Sequence, residues 1–321
     1  MRRPTPLPPV LAGRAFHRSE AIAAGISPRM LEHPRFVQVF PRVYRSHETH
    51  LTTLELIEAA RLALPPDAQL SHLTRLLPGG LDFGPLLPLR FTLPRDHHLT
   101  FDRIFVHRTV AMPPHRDGSI DVEGAFVMAA AELLPIEVVM VGDWLLHRGH
   151  LRLDRLQRLL DDQPWRVAAP LVRRMLPWMD AAAASLQESR LRCLVVASGL
   201  PRPAVNVDLH DAAGRFLARG DLVYVAWRLL LEFEGRQHAL DVRQFQHDVH
   251  RYGRLREEAW AYLQVTSEML AHPRTTVLEV HRALVRAGYD GPAPHFGRTW
   301  HALLAAPLVG APGSSGAFPT F

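Results

Sequence analysis

The chain has 321 residues, of which 47% are apolar, so it can bury the cores of two or three domains and is not disordered as a whole. Its net charge of +5 is modest for this length and does not by itself identify a partner. The single cysteine, Cys193, excludes a disulfide framework and favours a reducing cytoplasm.

The 37 basic residues are all arginine, because the sequence contains no lysine. Arginine binds phosphate in a bidentate manner, which suits a nucleic-acid partner, although a GC-rich genome would produce the same bias. The longest apolar stretch, Ala125 to Leu146, is interrupted by charged residues, proline and glycine, and the N-terminus lacks the apolar region of a signal peptide. We therefore expect a cytoplasmic protein with no membrane partner.

Residues 1–48 are predicted to form a winged helix-turn-helix domain. Four elements are indicated in order: a helix capped by Ser19, a helix opened by Ser27-Pro28, and two short strands that meet at Pro41-Arg42. Helix, turn, helix and hairpin is the order of a winged helix, although other small modules share it.

Residues 49–165 are predicted to form a mixed α/β middle domain. Helices are expected at 71–77, 124–134, 137–146 and 151–162, and strands at 89–94 and 101–108. In the last of these helices the leucines form one face, and Arg152, Arg155 and Arg158 lie three apart on another. A solvated face is favoured there over contacts with phosphate.

Residues 166–290 are predicted to form a third domain, in the order helix, three strands, helix, strand, helix. The strands are expected at 204–210, 216–225, 228–234 and 260–266, and the longest helix at 241–258. Residues 291–321 are rich in Gly, Pro and Ser toward their end and are predicted to be a flexible tail.

Acidic residues in the third domain form a candidate metal site. If the second and third strands make a hairpin that turns at Ala226-Trp227, Asp221 and Glu232 lie opposite each other. Two opposed carboxylates are destabilising unless a cation lies between them, and Mg²⁺ prefers a few carboxylates together with water. Such an ion can activate water and stabilise charge on a phosphate.

Each of these residues also has a structural interpretation. Glu188 follows Ser185 with the spacing of a capping box, which is slightly the better reading of Glu188 alone. Asp221 could form an ion pair with Arg219, and Glu234 could accept hydrogen bonds from a helix N-terminus. His238 could be an ordinary surface histidine.

Two resemblances to known families add to this pattern. FHRSEAIAAGIS (16–27) and RVYRS (42–46), and more loosely the chain to about 165, resemble the AbiEi-type antitoxins, in which an N-terminal winged helix binds DNA. GLPRP (199–203), LLLEFEGRQH (229–238) and the segments between and after them resemble relatives of the very-short-patch mismatch repair endonuclease. The second resemblance covers about 185–286 and implies a restriction-endonuclease-like αβββαβ domain of the PD-(D/E)XK superfamily.

The resemblance to the nuclease implies roles for individual residues. Asp221 and Glu232 would be ligands of Mg²⁺ or Mn²⁺, Glu188 a supporting acid, and His238 a general base or phosphate contact. Glu234 stands where the superfamily has a lysine and is a further candidate ligand. The basic residues expected to contact DNA are Arg18, Arg29, Arg42, Arg236 and Arg251.

The sequence therefore predicts an α+β multidomain protein that binds DNA and hydrolyses phosphodiester bonds with Mg²⁺. The alternative is a non-catalytic, antitoxin-like transcriptional regulator with a vestigial nuclease fold and a possible toxin partner.

Overall fold

The computed structural model describes residues 7–94, 101–211, 213–234 and 253–310. Over these ranges the chain is a mixed α/β fold with three sheets, which confirms the expected α+β class. It divides into two compact units: the first contains the described residues up to Ala129 together with Gly310, and the second spans Ala130–Val309. None of the helices within these ranges is both long and apolar enough to cross a bilayer.

The first unit begins with a three-stranded sheet of order β1–β3–β2. Its elements are β1 (Phe16–His17), α1 (Arg18–Ala23), a 3-10 helix (Pro28–Glu32), β2 (Phe36–Phe40) and β3 (Val43–Ser46). Arg42, with φ +63°, forms the turn of the predicted hairpin, and its carbonyl accepts the backbone N–H of Arg18 at 2.7 Å. The hairpin tip therefore lies against the start of α1.

Two details of this segment differ from the prediction. His17 and not Ser19 caps α1, because His17 is the last extended residue and Glu20 reaches back to its N–H at 2.9 Å. The second helix does begin after Ser27, but it is a 3-10 helix. Pro34 favours an extended conformation at His33, which leaves too few residues for a stable α-helix.

The remainder of the first unit is built on a five-stranded sheet of order β6–β5–β4–β8–β7. Its strands are β4 (Gln69–Leu70), β5 (Leu89–Leu93), β6 (Ile104–Arg108), β7 (His115–Arg116) and β8 (Ser119–Ile120). Its helices are α2 (Thr53–Ala63), α3 (His72–Leu76) and α4 (Val122–Ala129). One core cluster joins Phe40 and Val43 of the first sheet to Ile57 and Phe91. A second cluster, which includes Phe16, Ile26 and Phe36, lies wholly within the predicted N-terminal domain.

The second unit begins with four helices: α5 (Pro135–His147), α6 (Leu153–Asp162), α7 (Ala169–Met175) and α8 (Leu186–Ala197). Asp143 of α5 and Arg192 of α8 form an ion pair of 2.6 Å whose side chains are 0% and 1% exposed. This buried pair joins α5 to α8 across the predicted boundary at 165. Cys193, next to Arg192, is fully buried.

The sheet of the second unit has the order β12–β11–β10–β9. Its strands are β9 (Ala204–His210), β10 (Phe216–Tyr224), β11 (Leu229–Glu234) and β12 (Ala261–Thr266). The pair β11–β12 is parallel and the other two pairs are antiparallel. Of the predicted helix 241–258, only residues 253–257 are described as helical, and its earlier part lies outside the described residues.

Three helices follow the sheet: α9 (Ser267–Ala271), α10 (Pro273–Arg286) and α11 (Arg298–Leu303). The last of these falls within the predicted flexible tail. Trp300 and Leu303 of α11 are each 2% exposed, and the N–H of His295 donates to the carbonyl of Ser198 at 2.8 Å. The segment that carries α11 is therefore packed against the unit through Trp300 and Leu303.

Candidate functional site

The hairpin of β10 and β11 brings the two predicted metal ligands together. A 3-10 turn, Val225–Trp227, joins the strands, and the register pairs Tyr224 with Leu229 and continues to Leu222 with Leu231. Asp221 and Glu232 are the next residues on each strand. The sequence-based pairing of these two carboxylates therefore agrees with the register of the hairpin.

Asp221 is half-buried and its side chain is fixed by the neighbouring strand. The backbone N–H of Phe233 donates to Asp221 Oδ2 at 2.9 Å. Arg219, which was the alternative partner, instead forms an ion pair of 2.9 Å with Asp208. Gly220 precedes Asp221 because a Cβ atom there would collide with the side chain of Leu230.

Glu232 and Glu234 differ in their surroundings. Glu232 is only 6% exposed and lies beside Gln264 in the parallel ladder of β11 and β12. Glu234 is exposed at the end of β11, opposite Thr266, whose side chain caps α9. Of these two acids, Glu232 is thus the one held within the sheet.

Glu188 is joined to the sheet through Asn206. Ser185 Oγ accepts the N–H of Glu188 at 3.1 Å, which is the capping contact that the sequence favours. The Glu188 Oε2 atom accepts the N–H of Ala184 at 3.0 Å and Nδ2 of Asn206 at 2.9 Å. Glu188 therefore stabilises the start of α8 and also contacts β9.

Asn206 lies in line with the two candidate ligands. The pairs Gly220–Val207 and Leu222–Val205 place Asn206 between them, at the position opposite Asp221. A row of polar residues consequently crosses the sheet: Asn206, Asp221, Glu232 and Gln264. Because like charges on adjacent strands repel, Asp221 and Glu232 are suited to share a cation.

Sequence reasoning missed Asn206 and Gln264. Each interrupts an apolar strand segment, AVNVDLH or WAYLQVT, and this is the only local signal that could have identified them. Their alignment with Asp221 depends on how β9 and β12 pair with the hairpin, and strand spacing in the sequence does not determine that pairing.

The donors at this site suit a hard divalent cation. Mg²⁺ is bound in proteins by one or two carboxylates with water completing its coordination, and Asp221 and Glu232 provide two. No group of three or more His, Cys, Asp or Glu side chains that could hold a metal ion occurs in the described ranges. His238, Arg236 and Arg251, the other predicted site residues of this domain, lie outside the described residues.

The predicted DNA contacts of the first unit are on its surface. Arg18, Arg29 and Arg42 are exposed, and none of them forms an ion pair with another residue in the part of the chain that the structure describes. Arg18 and Arg42 are adjacent through their backbone hydrogen bond. Their guanidinium groups are thus open to an anionic partner.

Comparison with known proteins adds little to this picture. The chain matches no protein family and no solved structure. Two relatives from Mycobacterium tuberculosis, "Uncharacterized protein MT2308" of strain CDC 1551 / Oshkosh and "Uncharacterized protein Rv2248" of strain ATCC 25618 / H37Rv, are each 26% identical over 137 residues. The match covers 42% of this chain, which spans about half the length of the curated relatives it matches.

Proposed function

We propose that the protein binds DNA and hydrolyses phosphodiester bonds with Mg²⁺ or Mn²⁺ at the site of Asp221 and Glu232. The observation that carries this proposal is the adjacency of the two carboxylates on paired strands, one half-buried and one buried. In this proposal residues 1–48 form a winged helix-turn-helix and the second unit contains a nuclease-like αβββαβ domain.

Residues of the chain would bind the cation and hold its ligands in position. Asp221 and Glu232 would hold the ion, and the N–H of Phe233 keeps the Asp221 carboxylate in one orientation. A bound Mg²⁺ supplies an activated water and stabilises charge on the phosphate. In hydrolysis the water oxygen bonds to phosphorus, the bond from phosphorus to a sugar oxygen breaks, and that oxygen leaves with a proton.

A plasmid-nicking assay tests the proposal. We expect the purified protein to convert supercoiled plasmid to open circles with Mg²⁺ or Mn²⁺. Loss of a direct ligand in Asp221→Asn or Glu232→Gln should slow this by more than about 100-fold, beyond the effect of removing an outer partner.

The matched control is Asp208→Asn. Asp208 is an acid on the adjacent strand β9 whose ion pair with Arg219 is exposed, so nicking should stay close to that of the unaltered protein. Equal nicking by Asp221→Asn and the unaltered protein, or none by either, refutes the catalytic proposal.

A second candidate function is DNA-binding regulation without catalysis, with a toxin as a possible protein partner. The exposed Glu234, which stands where the resembled superfamily has a lysine, favours this candidate. DNA binding that persists in the absence of a divalent cation, together with no nicking, is its expected signature.

A further inference from the structure

We infer that Asn206 is a positioning residue, which holds Asp221 in place for a divalent cation by tying β9 to the buried carboxylate of Glu188. This inference rests on the proposed metal site at Asp221 and Glu232. It assigns a role to Asn206, the single asparagine of the chain, which is not among the site residues predicted from the sequence.

The contacts of Asn206 join three parts of the second unit. Its Nδ2 atom donates to the carbonyl of Ala182 at 2.7 Å and to Glu188 Oε2 at 2.9 Å. The same Glu188 oxygen accepts the N–H of Ala184 at 3.0 Å. One amide group therefore connects β9, the loop that precedes α8 and the first turn of α8.

The backbone of Asn206 supports a specific role for its side chain. Its φ is +51°, a left-handed conformation that most L-residues adopt only at a cost of about 1–2 kcal/mol. Asparagine tolerates this region better than other residues with a side chain. The strand pairs on both sides continue through the irregularity, so the surrounding ladder maintains it.

Because Asn206 lies opposite Asp221, its side-chain contacts also fix the strand that pairs with Asp221. The pairs Gly220–Val207 and Leu222–Val205 enclose Asn206 and Asp221, so a shift of β9 at Asn206 moves the backbone that carries Asp221. Loss of the amide also removes a donor from Glu188, a carboxylate that is only 7% exposed. Partners that orient a metal ligand commonly change metal affinity by about 10–100-fold.

Titration of the full chain with Mn²⁺ alone, with free Mn²⁺ followed by electron paramagnetic resonance, tests this role without DNA and without turnover. The main variant is Asn206→Gly, because glycine accepts the left-handed backbone and removes only the side chain. We expect Asn206→Gly to raise the Kd for Mn²⁺ about 10-fold or more. The control Asp208→Asn, on the same strand, should leave the Kd unchanged.

A second set of variants separates positioning from general damage to the fold. Asn206→Asp keeps the shape of the side chain but replaces its donors with a charge beside Glu188, so it should weaken Mn²⁺ binding as well. If Asn206 acts through Glu188, Glu188→Gln should weaken binding too, and the double variant with Asn206→Gly should be no weaker than the worse single variant.

The outcomes distinguish this inference from the proposed function. If the unaltered protein binds no Mn²⁺, the metal site is overturned and this inference falls with it. If the unaltered protein binds Mn²⁺ and Asp221→Asn abolishes binding, but Asn206→Gly and Asn206→Asp bind normally, only the role of Asn206 is overturned.

Discussion

The ionisation of His72 is linked to folding because its side chain is buried. His72 begins α3 with φ +50°, is buried, and its Nδ1 lies 2.9 Å from Ser71 Oγ. The ring of His107 lies 5.5 Å away, centroid to centroid. Burial, followed by the charges of His107 and Arg90, holds the pKa of His72 well below its usual value.

The lowered pKa of His72 predicts a loss of stability in acid. Above the pKa of the unfolded state, about 6.5, His72 is neutral in both states. As the pH falls below that value the unfolded chain binds a proton that the native chain resists, so stability should drop by about 1.4 kcal/mol per pH unit until the native pKa is reached. Urea denaturation between pH 8 and pH 5 measures this slope.

Two histidine variants check the assignment of the slope to His72. His72→Asn, which tolerates the left-handed backbone and does not titrate, should flatten the decline, whereas His301→Gln on the exposed face of α11 should not. An unchanged slope in His72→Asn means that another group is responsible.

Single residues also show what the sequence could predict. Counting from the hairpin turn was enough to pair Asp221 with Glu232, because an antiparallel hairpin fixes its own register. The same count could not reach Asn206, since its contacts with Glu188 and Ala182 span 18 and 24 residues and depend on how α8 packs.

At the scale of elements, the contact between α5 and α8 is built around an ion pair. Asp143 Oδ2 accepts from Arg192, and Asp143 Oδ1 accepts the N–H of Asp180 at 2.7 Å. Burial raises the pKa of Asp143, and the charge of Arg192 and these hydrogen bonds oppose that rise. Each partner thus needs the other in order to remain charged inside the unit.

Breaking this pair should destabilise the second unit strongly. Asp143→Asn leaves Arg192 buried without a charged partner, and removing one partner of a buried pair typically costs about 3–5 kcal/mol. Asp154→Asn, which breaks an exposed pair with Arg158 on α6, should cost less than about 1 kcal/mol. Chemical denaturation compares the two variants, and a similar small loss in both contradicts the structural role of the buried pair.

Helices and strands were predicted best where the pattern of apolar residues extended over a long segment. The strands from 204 to 234 and the helices α5, α6 and α8 occur where apolar spacing placed them. Local details were missed where tertiary contacts decide, as at the cap of α1 by His17 and in the packed helix α11. Trp300 in α11 was the available signal against a flexible tail, since a buried tryptophan anchors the segment that carries it.

On the scale of the whole molecule, every cationic side chain other than histidine is an arginine. Several of these arginines form ion pairs with acidic side chains. Arg152 and Arg158 both contact Asp154, at 3.1 and 2.9 Å, which agrees with the solvated face expected for α6. Arg18, Arg29 and Arg42 have no such partner within the described ranges, so they are the better candidates for DNA contacts.

The salt dependence of DNA binding should separate these two groups of arginines. Replacing Arg18, Arg29 and Arg42 with glutamine should weaken binding and lower the slope of log K against log salt by about 0.9 for each phosphate that the variant no longer neutralises. The matched set Arg152, Arg155 and Arg158, replaced in the same way, should leave the slope nearly unchanged. Equal slopes for both sets in fluorescence anisotropy titrations contradict the proposed DNA contacts.

The division of the chain into compact units depends on contacts that the sequence does not reveal. The order of predicted elements suggested boundaries at 48 and 165, but cores are formed by contacts between distant segments. Phe40 packs in one cluster with Phe91, and Asp143 joins Arg192 across 49 residues. Neither contact leaves a periodic signature in the sequence.

Because Cys193 is buried, its reaction with a thiol reagent can report local opening of the core around α8. Cys193 is the only thiol in the chain, and burial raises its pKa to about 12, so the reactive thiolate is scarce while α8 is packed. A thiol reagent can modify the native protein only when this part of the core opens, and the rate of modification then reports that opening. A cysteine introduced at an exposed position would react first, which allows a spin label or dye to be attached there selectively.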